Sequence, residues 1–272
     1  MCSTEDVGDN LGNIEMLASN AVKSGAQFIS FPENALYFQI DLEAPRKTAF
    51  THDSIHIQRL AKLAKSLGVV LHIGSAPWSH EGKTYNMTLV IDENGKVHSP
   101  YAKMHLFDIA LSGQRPIRES EHFCRGLGPS TFTAGGFRFG LTIYYDIRFA
   151  ELFSYYAVHD VQAILVPSAF LVETGKAHWE VLLRARAIET QSYVIAAAQG
   201  GRHLGPGGKV RETYGHSMII DPWGRILAEV ENVPSSSGQT IIADISVEEI
   251  RRVRAQMPLS SHRRLKTNWS WT

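Results

Sequence analysis

The stretch that decides the fold is GLTIYYDIRFAEL, which occupies residues 140–152. Its first half has the pattern of a buried strand, and from Phe149 onward its apolar residues have the spacing of a helix. The chain therefore turns sharply from strand to helix at Tyr144. A side chain on such an elbow is held away from the backbone near a helix N-terminus, where amide groups favour negative charge. The stretch predicts a sheet of α/β type with a reactive position at residue 144.

Helical and extended segments alternate on both sides of this elbow. Helices are predicted over residues 11–22, 57–67, 149–158, 179–190 and 246–254. Strands are predicted over residues 27–31, 69–76, 85–91, 97–103, 137–143, 163–166, 193–198, 214–220, 225–230 and 239–243. Helices interleaved with buried strands and hairpins favour an α/β fold of two stacked sheets with outer helices, a four-layer α-β-β-α sandwich. Because no linker divides the chain, we expect one domain over residues 1–264 and a C-terminal tail over residues 265–272.

The amino-acid composition argues against nucleic acids and membranes as partners. Lys plus Arg and Asp plus Glu both number 27, so the formal net charge is zero. Nucleic acids and anionic membranes attract a clustered basic field, so neither is expected as a partner. No apolar run approaches the roughly 20 residues that span a bilayer. Only Cys2 and Cys124 are present, too few for a disulfide-stapled secreted fold, which favours a reducing, cytoplasmic compartment.

Neither a metal nor a bound cofactor is predicted. The 12 histidines show no paired ligand spacing of the zinc type. Residues 205–209 lack the Gly-x4-Gly-Lys-Ser/Thr pattern of a phosphate-binding loop, and no predicted strand leads into them. We therefore interpret this segment as a surface loop.

Polar side chains occur at three points where predicted strands end. Glu33 directly follows one strand, Lys103 ends another, and Tyr144 lies at the elbow. Strand ends are where α/β sheets present reactive groups. A single Glu or Lys in such a place is more often a solvated surface residue. The prediction of a catalytic site therefore depends on all three positions occurring together.

Three segments together resemble the signature segments of the nitrilase superfamily of carbon–nitrogen hydrolases. They are FPENAL around residues 32–36, YAKMHLFD at 101–108 and GLTIYYDIRFAEL at 140–152. The intervals also fit the family, with 70 residues from Glu33 to Lys103 and 41 more to position 144. Residues 167–170, 174–189, 214–218 and 221–224 further resemble the amidase branch that acts on deaminated glutathione. The resemblance implies a small-molecule substrate with a terminal amide and at least one carboxylate.

The resemblance also implies a mechanism and its residues. In the family, a Cys thiolate attacks the amide carbon, ammonia leaves, and water releases the acyl group. The role of general base would fall to Glu33, and oxyanion stabilisation to Lys103 and the backbone N–H of Tyr145. Glu119 would orient the site. Two further residues are expected beside the pocket: Phe170 and Thr174.

Position 144 departs from the family pattern, because Tyr144 stands where the nucleophilic Cys is expected. A phenol has a pKa of about 10, against about 8.5 for a thiol, and is a poorer nucleophile at neutral pH. Three hypotheses stay open: an amidase-type hydrolase, a pseudoenzyme that binds a small amide or carboxylate without turnover, and a gene-level error for Cys. Cys124 is not a plausible replacement, since it has no elbow and no adjacent base.

The resemblance carries further expectations about assembly and ligand binding. Family members form homodimers or larger closed assemblies, and apolar residues expected on the outer face of a helix, Phe153, Tyr155 and Tyr156, would pack on the partner. Family members also begin with a strand ahead of the segment that Met1–Thr4 resembles, so a first strand is expected to be missing. Apart from the resemblance, three arginines are candidates to contact a substrate carboxylate: Arg148, Arg184 and Arg186. For Arg148 the favoured interpretation is a structural ion-pair partner near the elbow.

Overall fold

The computed structural model describes residues 1–41, 48–110, 116–231 and 238–264. The predicted C-terminal tail, 265–272, lies outside the described residues. Within the described ranges, no helix has both the length and the apolar composition needed to cross a membrane.

Fourteen strands and six α-helices are present in the described residues. The strands are β1 Phe28–Ser30, β2 Val70–His80, β3 Lys83–Ile91, β4 Val97–Ala102, β5 Asp108–Ile109, β6 Ile117–Arg118, β7 Thr131–Ala134, β8 Phe137–Leu141, β9 Ala163–Leu165, β10 Tyr193–Ala196, β11 Gly200–Leu204, β12 Val210–Tyr214, β13 Met218–Ile220 and β14 Ile226–Glu229. The helices are α1 Val7–Lys23, α2 Ile55–Leu67, α3 Ala150–Val158, α4 Val172–Thr190, α5 Val247–Gln256 and α6 Leu259–His262.

These elements form two main sheets, each covered by helices. The first sheet has the order β1-β2-β3-β4, and the second has the order β14-β13-β10-β9-β8-β7. Helix α1 packs on α2 over the first sheet, and α3 packs on α4 over the second. Two separate hairpins, β5–β6 and β11–β12, complete the fold.

The two sheets approach closely where the first strands end. The rings of Phe28 and Phe139 stack across the interface with centroids 4.4 Å apart. A Cβ atom added at Gly74 would lie 2.3 Å from both the Phe31 carbonyl oxygen and Cβ of Pro167, so only glycine fits there. This contact brings the chain that follows β1, including Glu33, against the middle of β2 and the end of β9.

Most predicted elements are confirmed, including the helix stop at Gly68, which has a left-handed φ of 64°. The helix predicted from Trp179 begins earlier, at Val172. The hairpin β11–β12 was not predicted, because its alternating polar sequence has no apolar run. The predicted strand over residues 239–243 is absent. This segment lines a groove of about 330 Å³ together with β1 and β10, and it forms no backbone ladder.

The expected outer face of α3 is wrong in part. Phe153 and Tyr156 are fully buried within their own chain, and the Tyr156 hydroxyl donates to the Leu141 carbonyl. Tyr155 is half-buried and stacks on His159 with ring centroids 3.8 Å apart. Phe153 and Tyr156 are therefore core positions rather than part of a partner surface. The expectation of an absent first strand stays a prediction.

Candidate active site

The elbow at Tyr144 has the strained backbone expected of a reactive position. Its φ of 42° lies in the left-handed region, which is uncommon for residues other than glycine. The buried carboxylate of Asp146 holds the turn, because it accepts from the Ile143 backbone N–H at 2.8 Å. The same carboxylate accepts from the Tyr101 hydroxyl and from Nδ1 of His105, each at 2.7 Å. Strand β4, the segment that follows it and the elbow are thereby fixed to one another.

Glu33, Lys103 and Glu119 meet beside this elbow. Nζ of Lys103 lies 3.0 Å from Oε1 of Glu33 and 2.8 Å from Oε2 of Glu119. The Asn86 side-chain amide, on β3, donates to both carboxylates, at 3.0 Å and 3.1 Å. Glu33 and Glu119 thus both lie within hydrogen-bonding distance of Lys103, although the three residues are far apart in sequence.

Backbone amides orient the two carboxylates from their outer sides. The N–H of Ala169 donates to Oε2 of Glu33 at 3.1 Å, and the N–H of Phe107 donates to Oε2 of Glu119 at 2.7 Å. Each carboxylate is thus held by one backbone donor and by two side-chain donors. The arrangement is preorganised, since no donor has to rotate to reach its acceptor.

Burial sets the protonation behaviour of the site. Burial raises the pKa of Glu33, opposed by the positive charge of Lys103. Burial alone would lower the pKa of Lys103, but Glu119 and Glu33 more than offset this, so its pKa lies above the usual value. Lys103 is therefore a permanent cation, and Glu33 takes up a proton more readily than an exposed carboxylate does.

The Tyr144 side chain fills space within the pocket. Its ring is almost fully buried and packs on Phe107 and Phe170, with centroids 5.0 Å and 4.7 Å away. Nζ of Lys103 lies 5.0 Å from the ring centroid. The phenol oxygen is buried and has no hydrogen-bond partner among the described residues. Burial, and then the charge of Glu33, raises the pKa of this phenol well above its usual value.

A cavity of about 390 Å³ opens over these groups. Besides the four residues predicted for catalysis, its lining includes Asn34, Gln39, Phe107, Arg118, His122 and Arg211. Its size is within the range that small-molecule sites occupy. Arg211 reaches it from the hairpin β11–β12.

The remaining predicted pocket residues lie at different distances from the cavity. Tyr145 packs its ring on Phe107, with centroids 5.0 Å apart, and its backbone directly follows the nucleophile position. Phe170 lies behind the Tyr144 ring. Thr174 does not line the cavity, since its hydroxyl donates to the Leu171 carbonyl in the first turn of α4.

The three arginines proposed from the sequence do not line the cavity either. Cζ of Arg148 lies over the Phe170 ring at 5.4 Å. Arg184 and Arg186 form ion pairs with acidic residues of their own helix, Glu180 and Glu189. Cys124 is exposed. The described part of the chain contains no cluster of three or more metal-ligating side chains.

Three residues of the site were missed by the sequence reasoning: Asn86, Asp146 and Arg211. Asn86 had a usable signal, since it is a polar residue near the start of a largely apolar predicted strand, where a buried amide needs a partner. Asp146 also had one, as an acidic residue two positions after the elbow, where it can cap the turn. Arg211 had none, because its hairpin was not predicted.

The sequence was compared with those of known protein families and proteins. The profile of the family described as carbon-nitrogen hydrolase matches residues 1–255. The chain belongs to the carbon–nitrogen hydrolase family. It is 36% identical over 268 residues to a deaminated glutathione amidase of Synechocystis sp. (strain PCC 6803 / GT-S), covering 97% of this chain and 95% of that protein. The deaminated glutathione amidase of Bos taurus is also 36% identical, over 96% of this chain and 79% of that protein.

A solved structure supports the same family. Nit3 of Saccharomyces cerevisiae, a member of branch 10 of the nitrilase superfamily, superposes with a TM-score of 0.78. It shares 28% identity, over 97% of this chain and 93% of that chain. The expected carbon–nitrogen hydrolase family and its fold are thereby confirmed.

Proposed function

We propose that this chain has the site of an amidase-type carbon–nitrogen hydrolase for small ω-amides, in which Tyr144 blocks hydrolysis, so that the ligand is bound but not turned over. The substrate class comes from the relatives named deaminated glutathione amidase. The observation that carries the proposal is the state of Tyr144: a buried phenol with a raised pKa and no hydrogen-bond partner among the described residues.

The chemistry of the site supports this division between binding and turnover. A nucleophile needs a base that removes its proton, and the phenol makes no hydrogen bond to Glu33. The Glu33 carboxylate instead binds Lys103 and Asn86. With a thiol at residue 144, Glu33 would act as the base and Lys103 would stabilise the oxyanion, as the family resemblance implies.

Ammonia release is the decisive assay. The unaltered protein should bind a small ω-amide, detected by calorimetry, and release no measurable ammonia from it. Tyr144→Cys should restore turnover, because the other groups are already in place, whereas Tyr144→Ala should not. In Tyr144→Cys, removal of Glu33 should abolish the restored ammonia release, because the thiol then has no base to remove its proton. Ammonia release by the unaltered protein that Tyr144→Phe abolishes would instead establish a tyrosine nucleophile and refute the proposal.

Assembly and compartment belong to the same proposal. We propose a homodimer or larger homo-oligomer, with no nucleic acid or membrane partner and no cofactor. Cys2 and Cys124 are both free, which supports a cytoplasmic location, where thiols stay reduced.

A further inference from the structure

The strongest unassigned feature of the pocket is the guanidinium of Arg211. It lines the cavity from β12, on a hairpin that belongs to neither main sheet. Its Nη1 donates to the Gln39 carbonyl at 3.2 Å, and its Cζ lies 4.5 Å from the centroid of the Phe38 ring. The backbone acceptor and the aromatic face therefore fix the guanidinium, and neither neutralises its charge.

The other cations near Arg211 have carboxylate partners at hydrogen-bonding or ion-pair distance, whereas Arg211 has none among the described residues. Lys103 binds both nearby carboxylates, Glu33 and Glu119, at hydrogen-bonding distance, and these carboxylates act on Arg211 only through space. On the same hairpin, Arg202 pairs with Glu212 and Lys209 pairs with Asp41. Arg211 has no ion pair in the described part of the chain, although it lines the pocket. A cation held in place without a carboxylate partner is suited to bind an anion from outside the chain.

We propose that Arg211 recognises a carboxylate of the ligand, and so selects ω-amides that carry an acidic group at the end remote from the amide. This inference rests on the proposed function, because it assumes that the amide end lies beside Lys103 and position 144. Arginine matches a carboxylate through two parallel N–H donors, which neutral amide groups match less well. Arg211 is a specificity residue here and takes no part in bond cleavage.

Matched ligands separate this role from general binding. Glutaramate carries one amide and one carboxylate, and glutaramide replaces that carboxylate with a second amide of nearly the same size. Calorimetry should show that the unaltered protein prefers glutaramate. In Arg211→Gln this preference should fall roughly 10- to 100-fold, the loss expected for a hydrogen bond between charged groups. Arg211→Lys should keep part of the preference for glutaramate, since the positive charge remains but the two parallel N–H donors of the guanidinium are lost.

The control variant is Arg202→Gln, which removes an exposed cation from the same hairpin outside the cavity. It should leave the preference unchanged, and the thermal unfolding of all variants should be compared to verify folding. In a Tyr144→Cys background that turns over, Arg211→Gln should raise KM for glutaramate with little change in kcat, the signature of lost uniform binding.

The possible results distinguish the two proposals. If the unaltered protein binds both ligands equally, or if folded Arg211→Gln keeps the full preference, the role of Arg211 is refuted while the proposed function stands. If the unaltered protein and Tyr144→Cys bind neither ligand and Tyr144→Cys releases no ammonia, the proposed function fails and the inference fails with it.

Discussion

The backbone and side chain of Tyr144 differ in what they indicate. A left-handed φ on a bulky residue costs on the order of 1–3 kcal/mol and is usually maintained where an active site needs it. The side chain, however, is a neutral phenol packed between aromatic rings. The backbone thus keeps the geometry of a nucleophile elbow, but no base contacts the phenol to activate it.

A buried histidine gives a residue-scale prediction about acid stability. His72 on β2 is fully buried, its Nδ1 lies 2.8 Å from the Ser30 hydroxyl, and burial lowers its pKa from 6.5 to about 3. The unfolded chain takes up this proton near pH 6.5, and the folded protein does so only near pH 3. The contribution of neutral His72 to the free energy of unfolding is therefore fully present above pH 6.5. Between pH 6.5 and pH 3, this group lowers the free energy of unfolding by ~1.4 kcal/mol for each unit that the pH falls.

Denaturant unfolding at a series of pH values tests this. His72→Asn should flatten the fall in unfolding free energy between pH 6.5 and 3, whatever its effect at neutral pH. His80→Asn is the matched control, because His80 is an exposed histidine on the same strand, and it should keep the full slope. Equal slopes in the two variants would contradict the assignment to His72.

Two glycines on different elements are predicted to respond in opposite ways to alanine. At Gly74 on β2, a new Cβ meets Phe31 and Pro167 at 2.3 Å, so Gly74→Ala should destabilise the protein by at least ~1–3 kcal/mol. At Gly12 within α1, a new Cβ meets nothing within 4 Å, so Gly12→Ala should stabilise it by about 0.5–1 kcal/mol. Urea midpoints measure both, and a neutral Gly74→Ala would show that the two sheets can separate without cost.

Elements with a strong local pattern could be predicted from the sequence, and those formed by long-range pairing could not. Helices α1 and α2 and the turn between β3 and β4 have clear spacing and turn residues. The strand predicted over residues 239–243 has a suitable pattern but pairs with no strand among the described residues, and pairing is what defines a strand. The site divides likewise: the motif residues Glu33 and Lys103 were predicted, but Arg211 depends on a hairpin whose polar alternation gives no local signal.

Assembly is the prediction at the scale of the whole molecule. Val181 and Ile188 are 64% and 47% exposed and lie seven residues apart on one face of α4, and exposed Val158 ends the adjacent α3. We expect this face to contribute to the proposed homodimer. By light scattering, the unaltered protein should be at least dimeric, and Val181→Glu should weaken the assembly.

Leu127→Glu provides the comparison for this experiment. Leu127 is 89% exposed and lies in a loop rather than on the α3–α4 face, so its substitution should leave the assembly unchanged. A monomeric unaltered protein at micromolar concentration would contradict the homodimer. A dimer that both glutamate variants leave intact would place the interface elsewhere.

The hairpin β11–β12 gives the fold a modular character that matters for protein engineering. In the part of the chain that the structure describes, its strands form a ladder only with each other, whereas Glu33 and Lys103 follow strands of the first main sheet and the turn at Tyr144 follows a strand of the second. A graft that changes the exposed positions of residues 200–214 and keeps the buried His203 and Thr213, together with Tyr214, which packs against α4, therefore alters one wall of the cavity. Libraries built on this hairpin, in a Tyr144→Cys background, offer a direct route to amidases with new choices of end group.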